Sequence, residues 1–126
     1  MKVGVGVDIT RVERFRNLEE DKSFLRRVFT KNELDYCLRK SDPAESLAAR
    51  FAGKEAVVKA LSQLNIKAGI ADVEITGGGR KPPKAKVNGL KAVSLELSLS
   101  HERDYAVSFA VAFREKDGGK ATHDDK

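Results

Sequence analysis

Three side chains could do chemistry together. Asp8 closes the run Val5-Gly6-Val7-Asp8, and Glu55 and Lys59 sit one helical turn apart in Lys54-Glu55-Ala56-Val57-Val58-Lys59. Two carboxylates can share one hard cation. Magnesium takes one or two protein carboxylates and completes its shell with waters and phosphate oxygens. An ammonium beside such a pair would meet the same phosphates. Plainer roles exist for each group. Asp8 could be a turn residue or helix cap at the end of a strand. A glutamate four residues before a lysine is also a common surface helix pair, worth a few tenths of a kcal/mol.

The elements that would position these groups can be read from periodicity. Residues 2 to 9 alternate as a strand, with Val3, Val5 and Val7 on one face and Gly4, Gly6 and Asp8 on the other. Gly6 would leave room for a ligand to approach the backbone beside Asp8. Short helical stretches are expected from Arg11 to Leu18 and from Lys22 to Phe29. Thr30-Lys31-Asn32-Glu33 forms a capping box that opens a third helix, running to about Arg39. Asp42-Pro43-Ala44-Glu45 opens a long fourth helix, reaching about Gln63, with Asp42 as the capping residue.

At about 100° per residue, Leu47, Phe51, Val58 and Leu61 form one apolar stripe of that helix. Ala49, Ala52, Ala56 and Ala60 form a second. Glu55, Lys59 and Ser62 fall in the gap between them, and Arg50 and Lys54 make a separate polar pair. A helix apolar on two sides is expected to be largely buried. Strands follow at 71–76, 93–99 and 105–113, and Lys81-Pro82-Pro83 is extended. The predicted fold class is α+β, a mostly antiparallel sheet packed against one long helix.

With 126 residues the chain fits one domain, predicted at 1–115, followed by a polar and disordered tail at 116–126. No apolar run approaches the roughly 20 residues of a membrane span. The start of the chain passes straight into a strand, so no signal peptide is expected. The single cysteine, Cys37, has no internal partner and reads as a small core residue. A cytoplasmic location follows as an expectation. The net charge of +5 favours anionic partners without choosing among them.

Two motifs together carry a family resemblance. Val5-Gly6-Val7-Asp8-Ile9-Thr10 resembles the first signature of the 4′-phosphopantetheinyl transferases, and Phe51 to Ala60 resembles the second. Phe29-Thr30 with Glu33-Leu34, Ala49-Arg50-Phe51, Lys81-Pro82, Ser98-Leu99-Ser100-His101 and Tyr105-Ala106 resemble the short bacterial holo-acyl-carrier-protein synthase branch. Gly53 stands where that branch usually has alanine.

The resemblance implies transfer of phosphopantetheine from coenzyme A to a serine of an acidic acyl carrier protein, in support of fatty acid biosynthesis. It implies Mg²⁺ on Asp8 and Glu55, with Lys59 on the phosphates and Glu55 a candidate base, directly or through a bound water. It places Arg50, Lys81, Pro82 and His101 at the nucleotide end of coenzyme A, with His101 beside the 3′-phosphate. It implies carrier docking on Arg14 and Arg27, and a homotrimer with sites at subunit interfaces.

Rival classes fit less well. A basic nucleic-acid module would draw on Arg80, Lys81, Lys84, Lys86 and Lys91, but only 6% of residues are aromatic and tryptophan is absent. No nucleic-acid motif and no phosphate loop of the Gly-x-x-x-x-Gly-Lys-Ser/Thr form occurs, which also disfavours other phosphotransferases. A carrier-binding module without catalysis would not need Asp8, Glu55 and Lys59 together.

Overall fold

The computed structural model describes residues 1–115. The tail expected to be disordered, 116–126, lies outside the described residues. In chain order the elements are β1 (Lys2–Arg11), α1 (Val12–Arg16), α2 (Lys22–Val28), α3 (Lys31–Leu38), α4 (Pro43–Ser62), β2 (Val73–Gly78), β3 (Lys81–Val87), β4 (Ser94–His101) and β5 (Tyr105–Arg114). β5 is the middle strand of an antiparallel sheet, with β1 on one side and β4 on the other. β2 and β3 form a separate antiparallel pair. The α+β reading holds, with the sheet divided in two. The extended prolines begin β3, which continues to Val87.

Helix starts follow local chemistry in one case and tertiary demand in the other. α3 has the full capping box: Glu33 N donates to Thr30 Oγ1 at 3.2 Å, and Thr30 N to Glu33 Oε1 at 2.9 Å. At α4 the expected Asp42 side-chain cap is absent. Its carboxylate is taken instead by a two-pronged contact with Arg16, at 2.8 and 3.0 Å. That guanidinium bonds the carboxylate and holds it below the usual range.

The core forms on both halves of α4. Phe15, Leu25, Phe29, Leu47 and Phe51 pack together, with the Phe15 and Phe51 rings 5.3 Å apart. Val57, Leu61, Leu64, Val73 and Ile75 make the second cluster. Between them lies a fully buried ion pair. Lys54 Nζ donates to Glu33 Oε1 at 2.6 Å, and Glu33 Oε2 accepts from Ile75 N at 2.7 Å. With the capping contact, both carboxylate oxygens are satisfied. Burial pushes the Lys54 ammonium below the ordinary lysine value, and the Glu33 carboxylate opposes that shift. Breaking such a pair costs about 3–5 kcal/mol. Arg50 and Lys54 are therefore not the separate polar pair expected: both are buried, with different partners.

β1 meets α4 backbone to backbone. A Cβ on Gly4 would stand 2.2 Å from the Ala60 carbonyl oxygen, and one on Gly6 2.0 Å from that of Ala56. The expectation that Gly6 makes room for a ligand is thus corrected: the helix fills that room. The opposite face of β1, with Val3, Val5, Val7 and Ile9, is exposed and continues onto Val107 and Phe109.

Gly6→Ala is expected to destabilise the protein by about 3 kcal/mol, the upper end of overpacking costs. At Gly53, a Cβ meets only the flexible end of Leu99 at 3.0 Å, and alanine outranks glycine inside a helix by about 1 kcal/mol. Gly53→Ala should be neutral or stabilising. Urea unfolding of both variants checks the contrast, and equal losses would contradict it.

Candidate active site

The strand–helix contact fixes where the first group of predicted residues lies. From Gly4 to Gly6 the neighbouring helix positions step back by four, from Ala60 with Gln63 to Ala56 with Lys59. Two residues of strand span about 7 Å and one helical turn 5.4 Å, so the step repeats. Asp8 therefore faces Ala52 and Glu55. Lys59 Nζ lies 3.3 Å from Asp8 Oδ1 and donates to Val7 O at 3.0 Å, while Thr10 Oγ1 donates to Asp8 Oδ2 at 2.7 Å. The Asp8 side chain is 15% exposed and that of Lys59 52%. The structure thus brings Asp8 and Lys59 together, and the register step puts Glu55 on the turn of α4 that Asp8 crosses.

This donor set fits magnesium. The carboxylate oxygens are hard, an ammonium already stands as a cation on Asp8, and Glu55 is half-buried with an open side. Among the described residues no third carboxylate, histidine or cysteine joins them. That leaves coordination positions for waters and phosphate oxygens, as Mg²⁺ prefers.

The second group lines a cleft of about 470 Å³ between the start of α4, the β2–β3 turn and the end of β4. Arg50, Lys81, Pro82 and His101 share it with Tyr36 and Arg80. Arg50 is 4% exposed. Its Nη2 donates to Gly77 O at 2.7 Å, its guanidinium lies 4.1 Å from the Tyr36 ring centre, and its Nε has no partner. The turn carries Gly77, Gly78 and Gly79 at positive φ, and a Cβ on Gly78 would stand 2.5 Å from Tyr36 Oη. His101 Nδ1 lies 2.5 Å from Glu45 Oε2. With Arg50, Arg80 and Lys81 on its walls, the cleft suits a phosphorylated ligand. Lys84, Lys86 and Lys91 are exposed and outside its lining.

The two groups lie on different sides of α4. Counting around the helix, Glu55 and Lys59 stand roughly 140° and 180° from Arg50. Asp8 and His101 occupy opposite edges of the sheet, separated by β5.

Residues 4–110 match the sequence family described as the 4′-phosphopantetheinyl transferase superfamily. A holo-[acyl-carrier-protein] synthase of Caldicellulosiruptor saccharolyticus is 40% identical over 92% of this chain and 100% of its own length. One of Aquifex aeolicus is 43% identical over 84% of this chain and 94% of its own. The chain belongs to the holo-[acyl-carrier-protein] synthases of the 4′-phosphopantetheinyl transferase superfamily. It is accordingly an enzyme of that class. The fold is similar to that of an ACPS–coenzyme A complex of Chronobacterium ammoniagenes, with TM-score 0.77, 26% identity, and 92% and 100% of the two chains covered. It is also similar to a Bacillus anthracis holo-(acyl-carrier-protein) synthase in complex with coenzyme A (3′,5′-ADP), with TM-score 0.73, 28% identity, and coverage of 89% and 96%.

Sequence reasoning missed Glu33, Tyr36 and Glu45 as parts of the framework around the cleft. Only the capping box hinted at Glu33. Arg14 and Arg27 are exposed on α1 and α2 and lie in no ion pair among the described residues. Arg14 covers the Phe51 ring at 4.8 Å, and Arg27 donates to Ser23 Oγ at 3.0 Å.

Cys37 is fully buried, and burial pushes its thiol up to about 12. A thiol reagent at pH 8 should leave the native chain unmodified for as long as it takes to label the urea-unfolded chain completely. Equal labelling rates would place Cys37 at the surface.

Proposed function

We propose that this chain transfers 4′-phosphopantetheine from coenzyme A to a serine of an acidic acyl carrier protein, releasing adenosine 3′,5′-bisphosphate in a Mg²⁺-dependent reaction. The observation that carries the reading is the pair of half-sites on α4. One holds Asp8, Glu55 and Lys59. The other is the cationic cleft of Arg50, Lys81, Pro82 and His101. The named relatives, and the coenzyme A complexes of similar fold, support this substrate pair.

The serine oxygen forms a bond to the β-phosphorus of coenzyme A. The bond from that phosphorus to the oxygen bridging to the α-phosphate breaks, and 3′,5′-ADP leaves with the electron pair. Asp8 and Glu55 would hold Mg²⁺, which supplies positive charge to the pyrophosphate. Lys59, half exposed on a fixed helix, neutralises charge on the phosphate oxygens; such reactions depend mainly on positioning and charge. Glu55 takes the serine proton, directly or through a water. Arg50, Lys81 and Pro82 orient the nucleotide, and His101 meets its 3′-phosphate.

Arg14 and Arg27 form the docking surface for the acidic carrier, where exposed arginines steer encounter and make two-pronged contacts with carboxylates. The apolar sheet face of Val3, Val5, Val7, Ile9, Val107 and Phe109 supports self-association, which we assign to a homotrimer with sites at subunit interfaces. No helix among the described residues is long and apolar enough to cross a membrane. We assign the reaction to the cytoplasm and to fatty acid biosynthesis.

Incubation with coenzyme A, Mg²⁺ and an apo acyl carrier protein should add one phosphopantetheine mass to the carrier in intact-mass spectrometry. Asp8→Ala and Glu55→Ala should each abolish the gain while leaving the circular dichroism spectrum unchanged. An unchanged carrier mass with several apo carriers would overturn the function. Retained activity in either variant would overturn the two-carboxylate site.

A further inference from the structure

The contact between His101 and Glu45 joins residues 56 positions apart. Glu45 lies in the first turn of α4, and His101 is the last residue of β4, on the cleft wall. The Nδ1 to Oε2 distance is 2.5 Å, with the two side chains 45% and 25% exposed. A ring nitrogen and a carboxylate oxygen at this separation are in direct hydrogen-bond contact.

A carboxylate accepts and cannot donate, so Nδ1 must carry the proton. That leaves Nε2 as the nitrogen available to a ligand. In neutral imidazole with the proton on Nδ1, Nε2 is only an acceptor and would repel a phosphate oxygen. In imidazolium both nitrogens donate. Arg50, Arg80 and Lys81 line the same cleft, Tyr36 is neutral, and Glu45 is the carboxylate in direct contact with His101. Glu102 and Arg103 follow in the chain, and Glu102 Oε1 is bonded to Asp104 N.

We propose that Glu45 is a positioning residue for the nucleotide end of the site: it fixes the His101 ring through Nδ1–H and, with the ligand bound, stands as the counter-charge to a ring that presents Nε2–H to the 3′-phosphate of coenzyme A. This rests on the reading that the cleft takes that phosphate. Glu45 itself touches no substrate. It acts through His101, and it ties that orientation to the N-terminus of the same helix that carries Glu55 and Lys59.

The test separates the proposal from the reading beneath it. The full chain contains two histidines, His101 and His123, so ¹⁵N-histidine labelling gives two ring systems, and His123→Gln assigns them. With coenzyme A bound, long-range ¹H–¹⁵N spectra should show both His101 ring nitrogens protonated in the wild type and not in Glu45→Ala. Glutamine can keep the bond to Nδ1–H without the charge, whereas Glu45→Ala removes both and should free the ring to sample both tautomers. The same variants should raise KM for coenzyme A roughly three- to tenfold, as expected for loss of one charge-assisted bond. KM for dephospho-coenzyme A should change less than twofold.

Identical His101 nitrogen shifts in the coenzyme A complexes of wild type and both Glu45 variants would overturn the proposal, whatever the kinetics. Altered spectra with equal KM losses for both donors would also overturn it, by taking the 3′-phosphate away from His101. Transfer itself would still be measurable in that case, so the failure would not be confused with failure of the proposed function.

Discussion

The close passage of β1 across α4 is the constraint on which the rest depends. Gly4 and Gly6 let the strand backbone lie against the Ala56 and Ala60 carbonyl oxygens, where any side chain would collide. That contact sets the register between strand and helix, and the register sets Asp8 beside Lys59, across from the helical turn that carries Glu55. The alanines of α4 matter for the same reason, since they keep the helix surface thin where the strand crosses it. Asp8 then carries a cation at 3.3 Å and a hydroxyl at 2.7 Å, an aspartate held in place and still open on one side.

α4 is organised as a spine with polar groups in three directions. Lys54 points into the core and closes on Glu33, which also holds the start of α3 and the backbone of β2. Arg50 points towards β2 and bonds the Gly77 carbonyl beneath the glycine turn. Lys59 points towards β1 and bonds Val7 and Asp8. A buried charge pair contributes little net stability against an apolar alternative. Its effect here is geometric: it fixes α3, α4 and β2 relative to one another, and with them the Tyr36 and Arg50 walls of the cleft.

Much of this was legible where the signal is local. The Thr30–Glu33 capping box, the proline at the start of α4 and the 3.6-residue stripes of that helix depend on residues close in sequence. β1 and β5 could be read from alternation. The continuation of β3 could not, because three glycines and two prolines obscure strand propensity and only pairing with β2 supplies it. Asp42 reads as a cap but serves Arg16, 26 residues away. Gly6 reads as room for a ligand, yet a glycine cannot reveal whether a ligand or a helix fills that room. Glu45 with His101 and Glu33 with Ile75 are long-range contacts that no spacing rule contains. The proposed catalytic set was legible chiefly because its two motifs resemble a family.

That geometry also bears on assembly. An α-helix with its side chains is about 10 Å across, and α4 stands between the carboxylate pair and the cationic cleft. A nucleotide held by Arg50, Lys81 and His101 of one copy reaches an Asp8–Glu55 pair most directly when that pair belongs to a neighbouring copy. The exposed valines of β1, on the face of the strand away from Asp8, offer an apolar surface for such a neighbour. The most direct measurement is complementation between inactive subunits. Asp8→Ala should be co-refolded with the double variant Lys81→Ala/His101→Ala and assayed at coenzyme A levels where each alone transfers little. With shared sites in a ring, roughly a quarter should combine two intact halves, and transfer should rise to about that fraction of the wild-type rate. Activity no greater than the sum of the separate variants would contradict a shared site and return both halves to one chain.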